Sequence, residues 1–413
     1  MKGDLDEVIL RNEEFGGLFF NQADGTMAFI DKDGFDTLMK FVGRKPLSPE
    51  QQDFVAALFD GGRDDKVRIL YDDAASSGIK IFANQSENYN KGFGTLTRTP
   101  AFIDMSITNV CNQNCRYCYM SARNPNDGTY MSMEDFNFIL DVLKNARVVQ
   151  IAIGGGEPTL HPYFSEILRK LRINANIVPN YTTNGTNLTE KVLKASRRYC
   201  GAVATSYNEN HEDQVLGATK LLIENEIKTN LHVVLLKSRL PKLTEITKRY
   251  ADLGIDNVVF LLFKPIGRGM NLEREVLSEE DLPLLYRQLK GCIKISLKAG
   301  ISIAFDACTA SIIRKLPVYA QSVDGCNGAR YSAYIDWNLQ MKPCSFMQTE
   351  AGIDLRQRGI QEAWNSDTFC GFRRKLLDFD YEACESCSWF ESCWGGCPID
   401  PSWVVCEKIR RDK

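Results

Sequence analysis

The amino-acid sequence predicts an α/β protein in which a parallel sheet, either open or curled into a partial barrel, lies between a small N-terminal domain and a cysteine-rich C-terminal region. Three observations predict this arrangement: short alternating runs at the start of the chain, six strand–helix units in series in its middle, and a dense set of cysteines near its end. Because 413 residues are too many for one ordinary core, we expect two or three domains.

The first region, residues 1–90, begins with alternating runs that turn residues separate, which predicts a small antiparallel sheet. The predicted strands are 8–11, 18–21 and 27–31. Helical patterns follow at 33–42 and 48–59, with Ser48 as a candidate N-cap for the second helix. The polar segment 84–98 predicts a linker.

The middle region, residues 91–300, repeats a strand followed by a helix. The predicted strands are 101–107, 148–153, 175–181, 201–206, 229–236 and 257–263. Amphipathic segments predict helices at 133–145, 189–197, 214–226 and 241–253. This series is typical of a parallel sheet, whose active sites gather at the carboxyl ends of the strands. The loop after the first strand and the glycines after the second therefore belong to one rim.

The amino-acid composition limits the kinds of site and the cellular location that we expect for this protein. The chain carries no apolar run long enough for a membrane helix and no signal-peptide core, so we expect a cytoplasmic protein without membrane contact. A net charge of −3 gives no indication of nucleic-acid binding. The 14 cysteines would stay reduced in that compartment, and there are only 3 histidines. These counts favour a metal centre bound by thiolates.

Three cysteines follow the first predicted strand of the barrel region. Cys111, Cys115 and Cys118 are spaced closely enough to hold three irons of a cubane cluster from one loop. Iron–sulfur clusters ordinarily take four cysteines, so the fourth iron would be open to a substrate or cofactor. The alternatives are a zinc site that lacks one ligand and a chance cluster of cysteines.

The CxxxCxxC spacing, with Tyr117 before its last cysteine, resembles the signature of the radical S-adenosylmethionine (SAM) superfamily. Gly154, Gly155, Gly156 and Glu157, at the end of the second strand, agree with this resemblance. In that family the segment binds the amino group of SAM, since glycines permit close approach and a carboxylate suits an ammonium. The resemblance implies a partial (β/α)6 barrel, a [4Fe–4S] cluster, and cleavage of SAM to a 5′-deoxyadenosyl radical.

The same resemblance implies further SAM contacts. Asn184 and Ser206 match positions that contact the ribose or the methionine carboxylate, and Tyr117 would lie near the adenine. For the first two the alternative is a helix cap or turn, and for Tyr117 it is packing against the rim. Lys264 and Arg268 would bind substrate or the SAM carboxylate, or else be solvated charges at the rim. The sequence does not assign a catalytic acid or base.

Seven cysteines near the end of the chain resemble the SPASM extension of radical SAM enzymes, which holds two auxiliary [4Fe–4S] clusters. One cluster would be held by Cys384, Cys387, Cys393 and Cys406. The other would be held by Cys326, Cys344 and Cys397, with Cys308 as the fourth ligand, or with an open iron if Cys308 is not a ligand. Leu339 departs from the family, which usually has glycine there. A zinc ribbon is the alternative around Cys384, and Cys200, Cys292 and Cys370 are expected to be ordinary buried thiols.

Residues 1–90, ahead of these domains, resemble a RiPP recognition element. Such winged-helix-like domains bind the leader of a ribosomally made precursor peptide by strand addition. Here 27–31 would be the edge strand and 48–59 the wall of the groove, and the alternative is a stabilising extension. The resemblance implies a recognition domain at 1–90, the barrel at 91–300 and the SPASM domain at 301–413.

Together these resemblances imply a peptide maturase that uses the 5′-deoxyadenosyl radical to form a thioether or carbon–carbon crosslink. Its three clusters would be reduced by a flavodoxin or ferredoxin. One alternative is another SPASM enzyme such as an anaerobic sulfatase maturase, although that group carries an aspartate where this chain has Ser345. The other alternative is a non-catalytic electron-transfer or zinc scaffold, which leaves the segment from Gly154 to Glu157 without a role.

Overall fold

The computed structural model of the protein describes residues 5, 7–59, 67–70, 96–318, 323–377, 384, 386–403 and 405–406. Most of the predicted linker, 84–95, lies outside these described residues, and its last three residues lie within them. In the described parts of the chain, no helix is both long and apolar enough to cross a membrane.

The N-terminal domain is a four-stranded sheet with two helices. Its elements are β1 (Val8–Glu13), β2 (Gly16–Asn21), β3 (Met27–Asp31), α1 (Lys32–Val42), α2 (Pro49–Phe59) and β4 (Val67–Leu70). The sheet order is β3-β2-β1-β4, so the predicted edge strand does lie at an edge. Ser48 caps α2 as predicted: its Oγ accepts from the Gln51 backbone N–H at 3.3 Å, and the Gln51 side chain accepts from the Ser48 N–H at 3.1 Å.

The middle region is the predicted parallel partial barrel. Its strands are β5 (Phe102–Ser106), β6 (Gln150–Gly154), β7 (Val178–Thr183), β8 (Val203–Ser206), β9 (Thr229–Leu235), β10 (Asn257–Leu262) and β11 (Ser302–Phe305). Its helices are α3 (Met133–Asn145), α4 (Phe164–Asn174), α5 (Glu190–Tyr199), α6 (Glu212–Glu224), α7 (Leu243–Ala251) and α8 (Leu282–Ala299). Neighbouring strands from β5 to β11 pair in parallel and in chain order.

The two faces of the barrel sheet differ in burial. On β9 buried and half-buried residues alternate along the strand. Leu231, Val233 and Leu235 belong to an apolar cluster that includes residues of α7 and α8. His232 and Val234 lie on the opposite face and stay half-buried. The inner face of the barrel therefore borders open space rather than a packed core.

The C-terminal region continues the barrel sheet. Its elements are α9 (Ala310–Ile313), β12 (Ser332–Ile335), β13 (Gln340–Lys342), β14 (Ile353–Asp354), α10 (Ile360–Trp364), α11 (Asp367–Leu377) and α12 (Phe390–Cys393). Strand β12 pairs in parallel with β5, and β13 and β14 then add antiparallel strands. The buried indole of Trp364 donates to the Thr97 carbonyl at 2.8 Å. These contacts fix the C-terminal region beside the first strand of the barrel.

The N-terminal sheet lies under the amino ends of the barrel strands. The guanidinium of Arg11, only 3% exposed, donates to the carbonyls of Thr99 at 2.6 Å and Pro100 at 3.2 Å. An apolar cluster joins the two parts; its buried members are Ile9, Leu18, Phe20, Ala101, Val149 and Val178. The N-terminal domain thus sits at the end of the barrel opposite the rim that carries the cysteine loop.

Candidate active site

The three-cysteine loop follows β5 at the carboxyl rim of the barrel, and its backbone is fixed by short hydrogen bonds. The Cys111 N–H donates to the Arg123 carbonyl at 2.7 Å, and the Cys118 N–H donates to the Cys115 carbonyl at 3.3 Å. All three cysteines are half-buried. The loop therefore presents three thiols from one ordered segment.

The segment after β10 holds this loop from the other side. The Arg268 Nε donates to the Cys115 carbonyl at 2.9 Å, and its backbone N–H donates to the Cys118 carbonyl at 3.0 Å. Another guanidinium nitrogen donates to the carbonyl of Ala122. Gly267, with φ +61°, lies so close that a Cβ would be 2.3 Å from the Tyr119 carbonyl oxygen. Arg268 thus braces the cysteine loop and is not a solvated charge, whereas its binding of substrate or the SAM carboxylate stays a prediction.

The thiols of the loop suit an iron–sulfur centre. Side-chain amides approach two of them, from Asn184 to Cys111 at 3.8 Å and from Asn208 to Cys115 at 3.4 Å. Burial raises the pKa of Cys111 to about 11, and burial and Cys118 also raise the pKa of Cys115. Bound iron would supply the positive charge that makes these sulfurs thiolates. Three thiols in one loop fit a cluster with one iron left open.

The glycines after β6 divide into two roles. A Cβ on Gly155, whose φ is +113°, would lie 2.1 Å from the Thr108 carbonyl oxygen, and one on Gly156 would lie 1.9 Å from that of Val110. These two glycines let the segment pack against the start of the cysteine loop. A Cβ on Gly154 would meet nothing within 4 Å. Gly154 is therefore the position that offers bare backbone to a ligand.

Glu157 is buried beneath this segment, with 1% of its surface exposed. Its Oε1 accepts from the Thr159 hydroxyl at 2.6 Å and the Thr183 hydroxyl at 2.7 Å, and its Oε2 accepts from the Asn184 N–H at 2.7 Å. Burial raises the pKa of this carboxyl. Glu157 thus links the ends of β6 and β7. An ammonium group of a ligand could bind only to the lone pairs of the two carboxylate oxygens that these hydrogen bonds do not use.

The other residues expected to contact SAM lie on the same rim. Asn184 follows β7, and its side-chain amide donates to Asn112 at 2.9 Å. Ser206 ends β8 and is half-buried, in register with His232. The Tyr117 hydroxyl donates to the Tyr207 carbonyl at 3.2 Å, and burial raises the pKa of Tyr117 to about 12. The structure thus brings these positions to the carboxyl ends of neighbouring strands.

A second group of thiols lines a cavity between β10 and the C-terminal region. The second group is Cys308, Cys326, Cys344 and Cys397, and Cys393 also lines the cavity. Burial raises the pKa of Cys308 to about 12 and that of Cys344 to about 11. The structure therefore gathers the four cysteines that the sequence assigns to one auxiliary cluster.

Lys264 is buried against this second group. It is 2% exposed, and its Nζ donates to the Cys308 sulfur at 2.7 Å. The same nitrogen lies 3.6 Å from the ring centroid of Phe346. Burial opposes the charge, but Cys308 and Asp306 together raise the pKa of Lys264. Lys264 is therefore an interior ammonium rather than a solvated charge at the rim.

The last group of thiols forms around α12. Cys384 packs with Cys397 and Cys406, and burial, Cys406 and Cys384 raise the pKa of Cys393 to about 12. After α12 the chain turns sharply, with positive φ at Trp394, Gly395 and Gly396. Cys393 and Cys397 lie on either side of this turn and each touches both groups: Cys393 also lines the cavity of the second group, and Cys397 packs with Cys384.

Leu339 shows why its position usually carries glycine. Its φ is +61°, a conformation that costs a residue with a side chain about 1–2 kcal/mol. The side chain is fully buried in the core cluster that also holds Ile335 and Met341. Burial of the leucine offsets the backbone cost, so the departure leaves the turn between β12 and β13 intact.

The three expected non-ligand cysteines are buried, and the Cys292 sulfur accepts from the Thr247 hydroxyl at 3.2 Å. Within the described residues, no group of three or more histidine, cysteine, aspartate or glutamate side chains is arranged to hold a single metal ion.

Residues 105–273, which run from β5 to just beyond β10, match the radical SAM superfamily. Residues 326–388 match the SPASM iron–sulfur cluster-binding domain, and this match ends before Cys393, Cys397 and Cys406.

Three similar proteins extend these matches. The tungsten-containing aldehyde ferredoxin oxidoreductase cofactor-modifying protein of Pyrococcus furiosus is 22% identical over 75% of this chain and 95% of its own length. The mycofactocin maturase MftC of Mycobacterium tuberculosis is 24% identical over 72% and 78%. The crystal structure of Streptococcus suis SuiB bound to its precursor peptide SuiA superposes with a TM-score of 0.69 at 17% identity, covering 97% of each chain. This chain therefore carries a radical SAM domain followed by a SPASM domain, the domain pair of an oxidoreductase-type enzyme.

Proposed function

We propose that this protein is a radical SAM peptide maturase with three [4Fe–4S] clusters that forms a thioether or carbon–carbon crosslink in a ribosomally made precursor peptide. The observation that carries the proposal is that eleven cysteines gather in two regions: three lie in the loop after β5, and eight lie around the cavity beside β10 and around α12. We divide these eight into two sets of four as the SPASM resemblance implies. The set of three would leave an iron open for SAM beside Gly154, and the sets of four would hold the auxiliary clusters.

The residues of this chain would position the reactants. When bound, the first cluster and SAM supply the radical that removes a hydrogen atom from the substrate. Arg268 fixes the cysteine loop, Glu157 fixes the ends of β6 and β7, and Gly154 gives the ligand access to backbone. The inner face of the barrel would enclose the reacting atoms and keep water away from the radical.

The N-terminal domain would bind the leader of the precursor. Strand β3 has β2 as its neighbour on one side, so its other edge can pair with an extended peptide. A cavity next to the end of β3, between α1 and α2, is lined by Asp31, Met39 and Phe54 among others. Its apolar and acidic groups would select leader side chains.

The position of this domain sets a minimum length for the peptide. The domain packs on the amino ends of the barrel strands, whereas the cysteine loop lies at their carboxyl ends. A strand of 6 residues such as β10 spans roughly 20 Å, a distance that an extended peptide covers with about six residues. A leader bound at β3 would therefore need at least that spacer before the modified residue.

Leader binding is best tested with a point variant, because removing residues 1–90 would uncover the buried Ala101, Val149 and Val178. We expect Phe54→Ala to weaken binding of the leader about 10-fold or more, since aromatic anchors dominate such interfaces. Leu58→Ala is the matched control, because Leu58 packs on the same small core without lining the cavity. Fluorescence anisotropy with each short peptide encoded beside the gene measures the affinity, and equal losses in both variants would contradict leader binding at this cavity.

The proposed function as a whole is tested by anaerobic reconstitution. We expect about twelve irons per chain, as three cubane clusters require. We also expect 5′-deoxyadenosine after addition of SAM and dithionite, and a mass loss in a peptide encoded beside the gene. About four irons with 5′-deoxyadenosine would reject the auxiliary clusters, and zinc without product would overturn the proposal.

A further inference from the structure

One carboxyl group lies on the inner face of the barrel between the cysteine loop and the second group of thiols. Asp104 is on β5, in register with Ala152 of β6 on one side and Tyr334 of β12 on the other. The side chain of Ser345, the residue after Cys344, lies close enough to this carboxyl to lower its pKa, although burial has the larger and opposite effect. Asp104 is therefore placed where a substrate would lie between the first cluster and an auxiliary cluster.

The residues around the Asp104 carboxyl fix its position but leave it partly exposed. Tyr119, which follows the cysteine loop, also lies near Ser345 and Asp104, and the centroid of its ring is 4.8 Å from that of Phe346. Across the sheet, the neighbouring residues on β6 are Ala152 and Gly154, neither of which has a side chain larger than a methyl group. Asp104 accordingly stays half-buried while its backbone neighbours Ile103 and Met105 are fully buried.

The charge state of Asp104 also suits proton transfer. Burial raises the pKa of its carboxyl to about 6, so it is ionised at neutral pH and more basic than an ordinary aspartate. The titratable groups that face it are Tyr119, Tyr334 and Cys344, which are neutral as free side chains because burial raises the pKa of each.

Other interior groups are less able to accept a proton. The Lys264 ammonium already donates to Cys308, and Glu157 is occupied by Thr159, Thr183 and Asn184. Burial lowers the pKa of His232 to about 4, which makes its imidazole a weak base. Within the described part of the barrel interior, the Asp104 carboxyl is both ionised at neutral pH and only half-buried.

We propose that Asp104 is the proton acceptor for the peptide substrate as the new bond forms, an inference that rests on the proposed maturase function. Loss of a hydrogen atom leaves a radical on a substrate carbon. A neighbouring S–H or C–H group of the peptide forms a bond to that carbon and gives its proton to the Asp104 carboxylate. The surplus electron passes to a one-electron acceptor of the iron–sulfur class, which balances the step.

The test compares Asp104→Asn with wild-type holoenzyme. Each short peptide encoded beside the gene is synthesised and incubated with SAM and dithionite in D2O, and modified peptide and 5′-deoxyadenosine are both quantified. We expect the ratio of modified peptide to 5′-deoxyadenosine to fall at least about 10-fold, as general-base loss does. Unmodified peptide should also gain deuterium. If the partner group is not deprotonated, no bond forms to the radical carbon, and this carbon instead takes an electron from the reductant and a deuteron from the solvent. Asp104→Glu should restore part of the ratio.

Tyr334→Phe is the matched control, since it removes a hydroxyl that donates to Ser106 at 2.9 Å beside the same carboxyl without removing a base. An unchanged ratio in Asp104→Asn, or an equal fall in Tyr334→Phe, would overturn the inference while leaving the maturase function intact. If the wild-type enzyme modifies none of the peptides, the proposed function fails and the inference fails with it.

Discussion

Replacing Cys111, Cys115 and Cys118 together by alanine is expected to reduce 5′-deoxyadenosine formation to background. These thiols come from one loop at the carboxyl rim, beside the open position at Gly154. Without them no iron would be held where SAM binds, so the whole reductive cleavage is lost. The two other groups of thiols do not depend on this loop, and we expect about eight irons to remain, as two cubane clusters contain.

The control for this triple variant is Cys292→Ala. Cys292 is also buried, but it lies on α8 and contacts Thr247 rather than another thiol. The Cys292→Ala enzyme should retain about twelve irons and form 5′-deoxyadenosine at the wild-type rate. If the triple variant still cleaved SAM in an anaerobic assay, the assignment of the radical site to this loop would be wrong.

Features that depend on local sequence were predictable. The six barrel strands were predicted because buried strands between amphipathic helices repeat at regular intervals, and all six form. Boundaries were less accurate: the third strand was expected at 175–181 but runs from Val178 to Thr183. Asn176 takes a φ of +55° in the turn after α4, so the chain is not yet extended there. The backbone conformation of single residues in turns decides where a strand begins. The spacing of hydrophobic residues gives no information about that conformation.

Contacts between distant segments were not predictable from pattern alone. Strand β12 is only four residues long, and its pairing with β5 depends on a partner far away in the sequence. The same is true of β4, which pairs in parallel with β1. Asp104 was missed for this reason: it reads as one polar residue within a strand, and its importance comes from Ser345, which only the fold brings to it.

The roles of charged residues also required the structure. Sequence position indicated correctly that Lys264 and Arg268 lie near the site, but not what they contact. Arg268 donates to backbone carbonyls, and Lys264 donates to a thiol. The carboxylate oxygens of Glu157 likewise accept hydrogen bonds from Thr159, Thr183 and Asn184. These hydrogen-bond partners are backbone groups, hydroxyls and a thiol, which occur throughout the sequence. No sequence motif therefore indicates which of them each charged side chain contacts.

Cys308→Ser is expected to remove or alter one auxiliary cluster. Among the described residues, Cys308 lines the cavity with Cys326, Cys344 and Cys397. Cys393 also lines it, but Cys406 and Cys384 of the last group lie close enough to raise the pKa of Cys393. Serine keeps an acceptor for the Lys264 ammonium, which donates to the sulfur at 2.7 Å. The variant therefore tests iron ligation without leaving a buried charge unpaired, a defect that alone would cost about 3–5 kcal/mol.

We expect the iron content of Cys308→Ser to fall from about twelve towards about eight, with loss of one auxiliary signal by electron paramagnetic resonance and with the SAM-binding cluster retained. Cys370→Ser, which changes a buried thiol on α11, should leave all three signals. If Cys308→Ser kept about twelve irons and an unaltered spectrum, Cys308 would not be a ligand. The cluster would then have an open iron facing Lys264, and a substrate thiolate could bind there with the buried ammonium stabilising its charge.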